Sequence, residues 1–91
     1  MDKERCEVQY LGRVQGVGFR YTVRQIAAGR NVAGFVQNRP DGTVQLVVEG
    51  PPTEIDGLLE EVQSAFGGYI RGKREQRSPA RGEFHDFRIR Y

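Results

Sequence analysis

The fold of this chain is decided by the stretch Gly12-Arg13-Val14-Gln15-Gly16-Val17-Gly18-Phe19-Arg20. Before it, apolar residues alternate with polar ones at Cys6, Val8 and Tyr10, and after it they recur at helical spacing. Alternation indicates a strand, which we expect to end near Val14, and the longer spacing indicates a helix. The quoted stretch is therefore predicted to be a glycine-containing turn between a strand and a helix.

The first helix leads into a β-hairpin. Its predicted apolar face consists of Phe19, Val23, Ile26 and Ala27. Gly29 and Asn31 indicate its end. A second strand is predicted over residues 32–38 and a third over residues 43–49. The turn between them, residues 39–42, has proline and glycine where tight turns favour them, so we expect an antiparallel hairpin.

The second half of the chain repeats the order of helix and strand. Thr53 is predicted to be the N-cap of a second helix, which Gly67 ends. The apolar residues of that helix are Ile55, Leu58, Leu59, Val62 and Phe66. A fourth strand is predicted over residues 69–76, although its apolar pattern is weak. Alternation of Phe87, Ile89 and Tyr91 predicts a short terminal strand.

The order β-α-β-β-α-β plus a short C-terminal strand predicts an α+β protein. We expect a ferredoxin-like α/β sandwich in which two helices cover one face of an antiparallel sheet. The length of 91 residues fits one domain. No stretch approaches the roughly 20 apolar residues of a membrane span, and residues 1–7 lack the apolar region of a signal peptide. We therefore expect a cytoplasmic monomer without a membrane partner.

Cysteine and histidine each occur once, at Cys6 and His85. A single cysteine excludes an internal disulfide and is typical of a reducing compartment. The pair is too small for a zinc site, and we expect neither a metal nor a cofactor. We interpret Cys6 as a small buried strand residue and not as a catalytic thiol.

The net charge of +2 conceals a local basic segment. It contains Arg71, Lys73, Arg74, Arg77 and Arg81, with Glu75 among them. We interpret it as a solvated strand edge, where charge discourages pairing with other sheets. The alternative is a surface that attracts anions or nucleic acid.

The turn at residues 15–20 is a candidate anion site. Its two glycines would let consecutive backbone N–H groups point into one concavity, and the helix that follows adds the positive end of its dipole. The Arg20 guanidinium could bind two phosphate oxygens at once. The turn is neither a Walker A motif nor G-x-G-x-x-G, so nucleotide binding is not indicated. On spacing alone, an ordinary glycine turn with a surface arginine stays open.

The quoted stretch resembles the signature loop of the acylphosphatase family. So does Gly34-Phe35-Val36-Gln37-Asn38, continued by Asp41-Gly42-Thr43-Val44 and Gly50. The ending Phe87-x-Ile89-x-Tyr91 is also similar to that of the family. The resemblance extends over nearly the whole chain and implies a single acylphosphatase-like domain over residues 1–91.

The resemblance implies hydrolysis of acyl phosphates to a carboxylate and inorganic phosphate, without a metal. The family's essential arginine falls on Arg20 and its essential asparagine on Asn38. The amides of the loop, contributed by Gln15, Gly16, Val17, Gly18 and Phe19, would bind the phosphate together with Arg20. Asn38 would hold the attacking water, and Thr43 across the hairpin could orient the Asn38 amide. Without the resemblance, the favoured interpretation of Asn38 is a residue before a turn that hydrogen-bonds its own backbone.

Two other functions stay open. Acylphosphatase-like domains occur within hydrogenase-maturation proteins that handle carbamoyl phosphate, but this chain lacks zinc-finger cysteines, which favours a free hydrolase. Ferredoxin-like sheets also bind RNA through exposed strand aromatics. Here Phe35 lies on a strand without an aromatic cluster, so no nucleic-acid partner is expected. The sequence departs from the family at Gly72, Lys73 and Arg74, which make the fourth strand less apolar.

Overall fold

A computed structural model of the chain describes residues 2–91. The order of elements is β-α-β-β-α-β followed by one more strand, as predicted. The elements are β1 (Glu4–Gly12), α1 (Phe19–Ala28), β2 (Ala33–Asn38), β3 (Val44–Gly50), α2 (Pro52–Phe66), β4 (Ile70–Pro79) and β5 (Phe87–Arg90).

The five strands form one sheet in the order β4-β1-β3-β2-β5. The first four strands pair antiparallel, as predicted, but β5 runs parallel to β2, with Gly34 opposite Phe87 and Val36 opposite Ile89. The prediction of an entirely antiparallel sheet was therefore wrong for the terminal strand. Because β4 and β5 lie at opposite edges, the chain crosses the whole sheet before β5 begins, and β5 then runs in the direction of β2.

Both helices lie on one face of the sheet and bury the core there. Val23 on α1 and Leu58 on α2 are fully buried, as are Cys6 and Val8 on β1. Burial raises the pKa of the Cys6 thiol to about 11, so the group is protonated at neutral pH and is a poor nucleophile. The interpretation of Cys6 as a buried strand residue is confirmed.

The second helix begins differently from the prediction. Pro51 occupies the N-cap position, without a side-chain cap, and Pro52 is the first helical residue. Thr53 therefore lies within the first turn, and its prediction as the N-cap was wrong. Proline suits this position because its missing N–H would have had no partner inside the helix.

The basic segment lies mostly on β4, which is an edge of the sheet. Its residue Arg77 forms ion pairs with Glu4 at 3.1 Å, with Glu75 at 3.0 Å and with Asp56 of α2 at 2.5 Å. Arg77 thus links β4 to β1 and to α2, which agrees with the interpretation of a charged strand edge.

The connection from β4 to β5 is short compared with the distance that it has to cross. Four strand spacings of about 4.8 Å separate the two edges, or about 19 Å. The chain from Pro79 to Phe87 reaches at most about 28 Å when fully extended. Residues 80–86 therefore cross the helix-free face of the sheet with room for bends but not for a helix.

A buried ion pair fixes this crossing segment. Arg5 of β1 and Glu49 of β3 are opposite each other in the register, only 7% and 6% exposed, and joined at 3.0 Å. Glu49 also accepts hydrogen bonds from the N–H groups of Arg81 at 2.9 Å and Gly82 at 3.0 Å. Burial alone would raise the pKa of Glu49, but these donors outweigh it and lower that pKa below its usual value.

Replacing Glu49→Gln should destabilise the fold by about 2 kcal/mol or more, because it removes the buried one of the three carboxylates that pair with Arg5 and weakens the hydrogen bonds from the crossing segment. Since the pKa of Glu49 is lowered in the folded state, its contribution is complete above about pH 4.3 and is lost as the pH falls further. We therefore expect the difference in free energy of unfolding between wild type and variant, measured by urea titration, to shrink at acidic pH.

The matched control is Glu83→Gln, which removes a carboxylate that also contacts Arg5 but is 48% exposed. Glu83→Gln should lower the free energy of unfolding by at most about 1 kcal/mol. Equal losses in the two variants, or a Glu49→Gln difference that is independent of pH, would contradict the role assigned to Glu49.

Candidate active site

The turn between β1 and α1 depends on two left-handed glycines. Gly16 has a φ of 77° and Gly18, the N-cap of α1, has a φ of 76°. A Cβ atom on either residue would meet no atom within 4 Å. Glycine is therefore favoured here by the backbone conformation and not by lack of space.

Buried side chains fix both ends of the turn. Val14 and Phe19 are each 1% exposed. The Phe19 ring packs against Tyr10, with centroids 5.1 Å apart, and against Phe66, at 4.8 Å. The segment between Val14 and Phe19 is thus held between two core contacts.

The backbone N–H groups of the turn are unused. Within residues 2–91, no N–H of residues 15–20 donates a hydrogen bond to another protein atom. They belong to the turn and to the first residues of α1, where the helix dipole is positive. Successive free donors at a helix start are typical of an anion site.

The Gln15 side chain joins this turn to the β2–β3 hairpin. Its amide nitrogen donates to the carbonyl oxygens of Arg39 at 2.8 Å and Thr43 at 2.9 Å. Arg39 in turn donates from its N–H to the same Thr43 carbonyl oxygen at 2.8 Å. This contact, which the sequence did not reveal, brings the end of β2, and with it Asn38, beside the turn.

Asn38 is the last residue of β2 and is half-buried. Its Oδ1 atom is buried and accepts no hydrogen bond from any residue in the described range 2–91. A buried polar atom normally has a partner, and its absence is typical of a functional position or a site for water. The Asn38 amide is therefore free to bind a small polar molecule.

Thr43 does not make the expected contact with Asn38. Its hydroxyl donates to Asp41 Oδ1 at 2.6 Å and accepts from Gln9 Nε2 at 3.3 Å. No hydrogen bond links Thr43 to the Asn38 side chain in the described part of the chain. Asp41 sits two residues before Thr43 in the same turn and is the nearer acceptor. The contacts of Thr43 stabilise the turn, and the Thr43 hydroxyl lowers the pKa of Asp41.

Arg20 projects from the first turn of α1 and keeps its full charge. Its Cζ atom lies 5.0 Å from the centroid of the Tyr91 ring. None of the ion pairs between residues 2–91 includes Arg20. The guanidinium is oriented by an aromatic ring and remains available to an anion.

These features meet in one cavity of about 180 Å³. It is lined by Val14, Gly16, Gly18, Phe19, Arg20, Tyr21, Asn38, Ile89 and Tyr91. Of the residues predicted for the site, the side chains of Gln15 and Val17 lie outside it, against the hairpin and the core. The lining residues that were not predicted for the site are Val14, Tyr21, Ile89 and Tyr91. The alternation that includes Ile89 and Tyr91 was visible, but its relevance depends on the parallel pairing of β5.

The arrangement can bind a tetrahedral anion. The free N–H groups and the Arg20 guanidinium supply donors to several oxygens, and the Asn38 residue lines the same cavity. No cluster of three or more histidine, cysteine or acidic side chains occurs among residues 2–91. None of the described helices is long and apolar enough to cross a membrane.

Comparison with known proteins identifies the family. The family model for acylphosphatase matches residues 6–89. An acylphosphatase from Paenarthrobacter aurescens is 40% identical over 86 residues, which are 93% of this chain and 92% of that protein. The crystal structure of acylphosphatase from Bacillus subtilis matches with a TM-score of 0.87 and 33% identity, over 97% of this chain and 99% of that one.

A larger protein contains a similar unit. Full-length HypF, solved in a phosphate- and nucleotide-bound form, matches with a TM-score of 0.86 and 28% identity. The match covers 98% of this chain but 12% of HypF, so it concerns one part of that protein. The family match over most of the sequence and the similarity to relatives along their full length lead to one assignment: the chain belongs to the acylphosphatase family.

Proposed function

We propose that this chain hydrolyses the carboxyl-phosphate bond of acyl phosphates, giving a carboxylate and inorganic phosphate. The observation that carries the proposal is the meeting of unused N–H groups, an Arg20 without an ion pair and the Asn38 side chain at one cavity. Membership of the acylphosphatase family supplies the substrate class.

The phosphoryl group binds to the turn. The N–H groups of residues 15–19 and the Arg20 guanidinium donate hydrogen bonds to its oxygens and offset their negative charge. Phosphoryl transfer depends mainly on positioning and on stabilising this charge. Donors that are already fixed by Phe19 and Gln15 need no rearrangement when the transition state forms.

Asn38 positions the attacking water. The Asn38 amide forms a hydrogen bond with the water and aligns it with phosphorus. The new P–O bond forms as the bond to the acyl oxygen breaks, and the electron pair leaves with the carboxylate. Because an amide is not a base at neutral pH, the water's proton passes to an oxygen of the phosphoryl group itself. The good leaving group makes a separate catalytic base unnecessary.

RNA binding is the less supported alternative. The strand aromatic Phe35 is only 7% exposed, with Phe84 packed at 5.9 Å and the Arg90 guanidinium 3.8 Å from its ring centroid. A base could not stack on a ring that is covered in this way. Arg77 of the basic segment is already paired with three carboxylates.

We further propose that the protein is a cytoplasmic monomer. The single cysteine is buried as a thiol, which fits a reducing compartment. Sedimentation equilibrium should give a mass near 10.3 kDa, and a concentration-independent mass of twice this value would contradict a monomer.

The roles of Arg20 and Asn38 are tested by alanine substitution with benzoyl phosphate as substrate. Arg20→Ala should lower kcat/KM by about 100-fold or more and weaken competitive inhibition by inorganic phosphate. Asn38→Ala should lower kcat by about 100-fold while the inhibition constant for phosphate stays within about threefold, because a positioned water matters chiefly in the transition state.

Arg24→Ala removes an exposed arginine of the same helix and serves as the control, with unchanged kinetics expected. Circular dichroism should show that all three variants fold. Wild-type rates in both Arg20→Ala and Asn38→Ala would overturn the assignment of the site.

The cradle of N–H groups is tested at Gly18. Gly18→Ala should destabilise the fold by about 1 kcal/mol, because alanine disfavours the left-handed conformation, and should weaken phosphate inhibition as the turn changes shape. Gly72→Ala is the control, since Gly72 lies on the edge strand β4, does not line the cavity and has no atom within 4 Å of an added Cβ. It should leave both the stability and the inhibition by phosphate close to those of the wild type. The same inhibition constant in both variants would argue against the cradle.

A further inference from the structure

Two exposed tyrosines border the cavity. Over the described residues, the large apolar side chains with high exposure are Tyr91 at 93%, Tyr21 at 59% and Tyr69 at 43%. Tyr21 and Tyr91 line the same cavity as Arg20 and Asn38, whereas Tyr69 does not. Exposed aromatic rings at a cavity are typical of a surface that binds an apolar or aromatic group.

Each of the two rings has a polar partner in the protein. The Tyr21 hydroxyl accepts a hydrogen bond from Gln25 Nε2 at 2.8 Å, one helical turn further along α1. The Tyr91 ring lies 5.0 Å from the Arg20 guanidinium carbon, so one of its faces is engaged. Rings restrained in this way lose little conformational entropy when a ligand packs against them.

The cavity lining separates into two parts with different chemistry. Gly16, Gly18, Arg20 and Asn38 supply the polar part, which the proposed function assigns to the phosphoryl group and water. Of the apolar lining residues, Val14 and Phe19 are 1% exposed and belong to the core. The accessible apolar surface is therefore provided by Tyr21 and Tyr91, with the half-buried Ile89 between core and solvent.

We propose that Tyr21 and Tyr91 form a platform for the acyl group and make the enzyme prefer acyl phosphates with a flat aromatic acyl group over those with a small aliphatic one. The inference rests on the proposed function. With the phosphoryl group on the polar part, the acyl group has to extend from the bridging oxygen towards solvent, past the accessible apolar lining. A flat ring there can pack offset or edge-on against the tyrosines, which a methyl group cannot.

The test compares kcat/KM for benzoyl phosphate with that for acetyl phosphate. In Tyr21→Ala and in Tyr91→Ala, the ratio of the two values should fall about threefold or more, and in the double variant about tenfold. Tyr69→Ala is the matched control, because it removes an exposed tyrosine that does not line the cavity, and its ratio should equal that of the wild type. Tyr91→Phe should keep the ratio, since the ring and not the hydroxyl forms the platform.

Tyr91 also contacts Arg20, so its variant could act through the acyl group or through Arg20. The inhibition constant for phosphate and the separate rates for the two substrates distinguish these two effects. If Tyr91 acted only by orienting Arg20, Tyr91→Ala would weaken phosphate inhibition and slow both substrates by the same factor, and the ratio would not change. An unchanged ratio in both single variants overturns the platform, although the hydrolase assignment stands if the wild type turns over both substrates. A wild type that hydrolyses neither substrate overturns the platform together with the proposed function.

Discussion

The buried pair of Arg5 and Glu49 is the interaction on which the active end of the molecule depends. The β4–β5 connection has to cross the entire sheet with few residues, and its backbone needs an anchor there in addition to the contacts that Glu83 and Phe84 make with Arg5. Glu49 provides that anchor by accepting two backbone N–H groups of the segment in addition to the Arg5 guanidinium. A buried carboxylate is costly unless several donors satisfy it, and here three do. With the crossing fixed, β5 can pair with β2, and Ile89 and Tyr91 reach the cavity at the start of α1.

The site itself is made of hydrogen-bonding groups that the fold leaves unused. Of these groups the Asn38 oxygen is buried, and an unsatisfied buried polar atom costs on the order of 1 kcal/mol or more, which is a sizeable fraction of the stability of a small domain. The surrounding contacts keep those groups in place: Phe19 in the core fixes the start of the helix, and Gln15 fixes the turn to the hairpin. A loop with the same two glycines but without these anchors could turn its N–H groups towards water. The rigidity of the core behind the turn is thus what makes the free donors of the turn useful.

Local patterns in the sequence were sufficient to predict most elements, because the apolar spacing of each strand and helix reflects one shared core. They failed where the outcome depends on distant residues. The parallel pairing of β5 requires the crossing segment to be held by Arg5 and Glu49, which are 44 residues apart, and no local signal reports that contact. Similarly, the Thr43 hydroxyl was expected to orient the Asn38 amide, but the carboxylate of Asp41 lies closer in the chain and accepts the hydrogen bond of that hydroxyl. Arg20, Asn38 and the glycine turn could be singled out by resemblance to a family, whereas the aromatic part of the cavity could not.

The contrast between the arginines explains why residue type alone does not locate an anion site. Arg5 and Arg77 are each surrounded by carboxylates, and Arg30 pairs with Glu54 and Glu61, so their charges are largely offset within the protein. Arg20 contacts an aromatic ring and pairs with no carboxylate of residues 2–91, and it differs from Arg90, which lies over the Phe35 ring, because it lines the cavity. A ring attracts the guanidinium and limits its orientations, but it carries no net charge and leaves the positive charge intact. Placed beside free N–H groups at a helix start, such a cation produces a local positive potential that the small overall charge of +2 does not reveal. The selectivity of the cavity for an anion therefore depends both on the Arg20 guanidinium and on the absence, among the described residues, of a carboxylate that would pair with it.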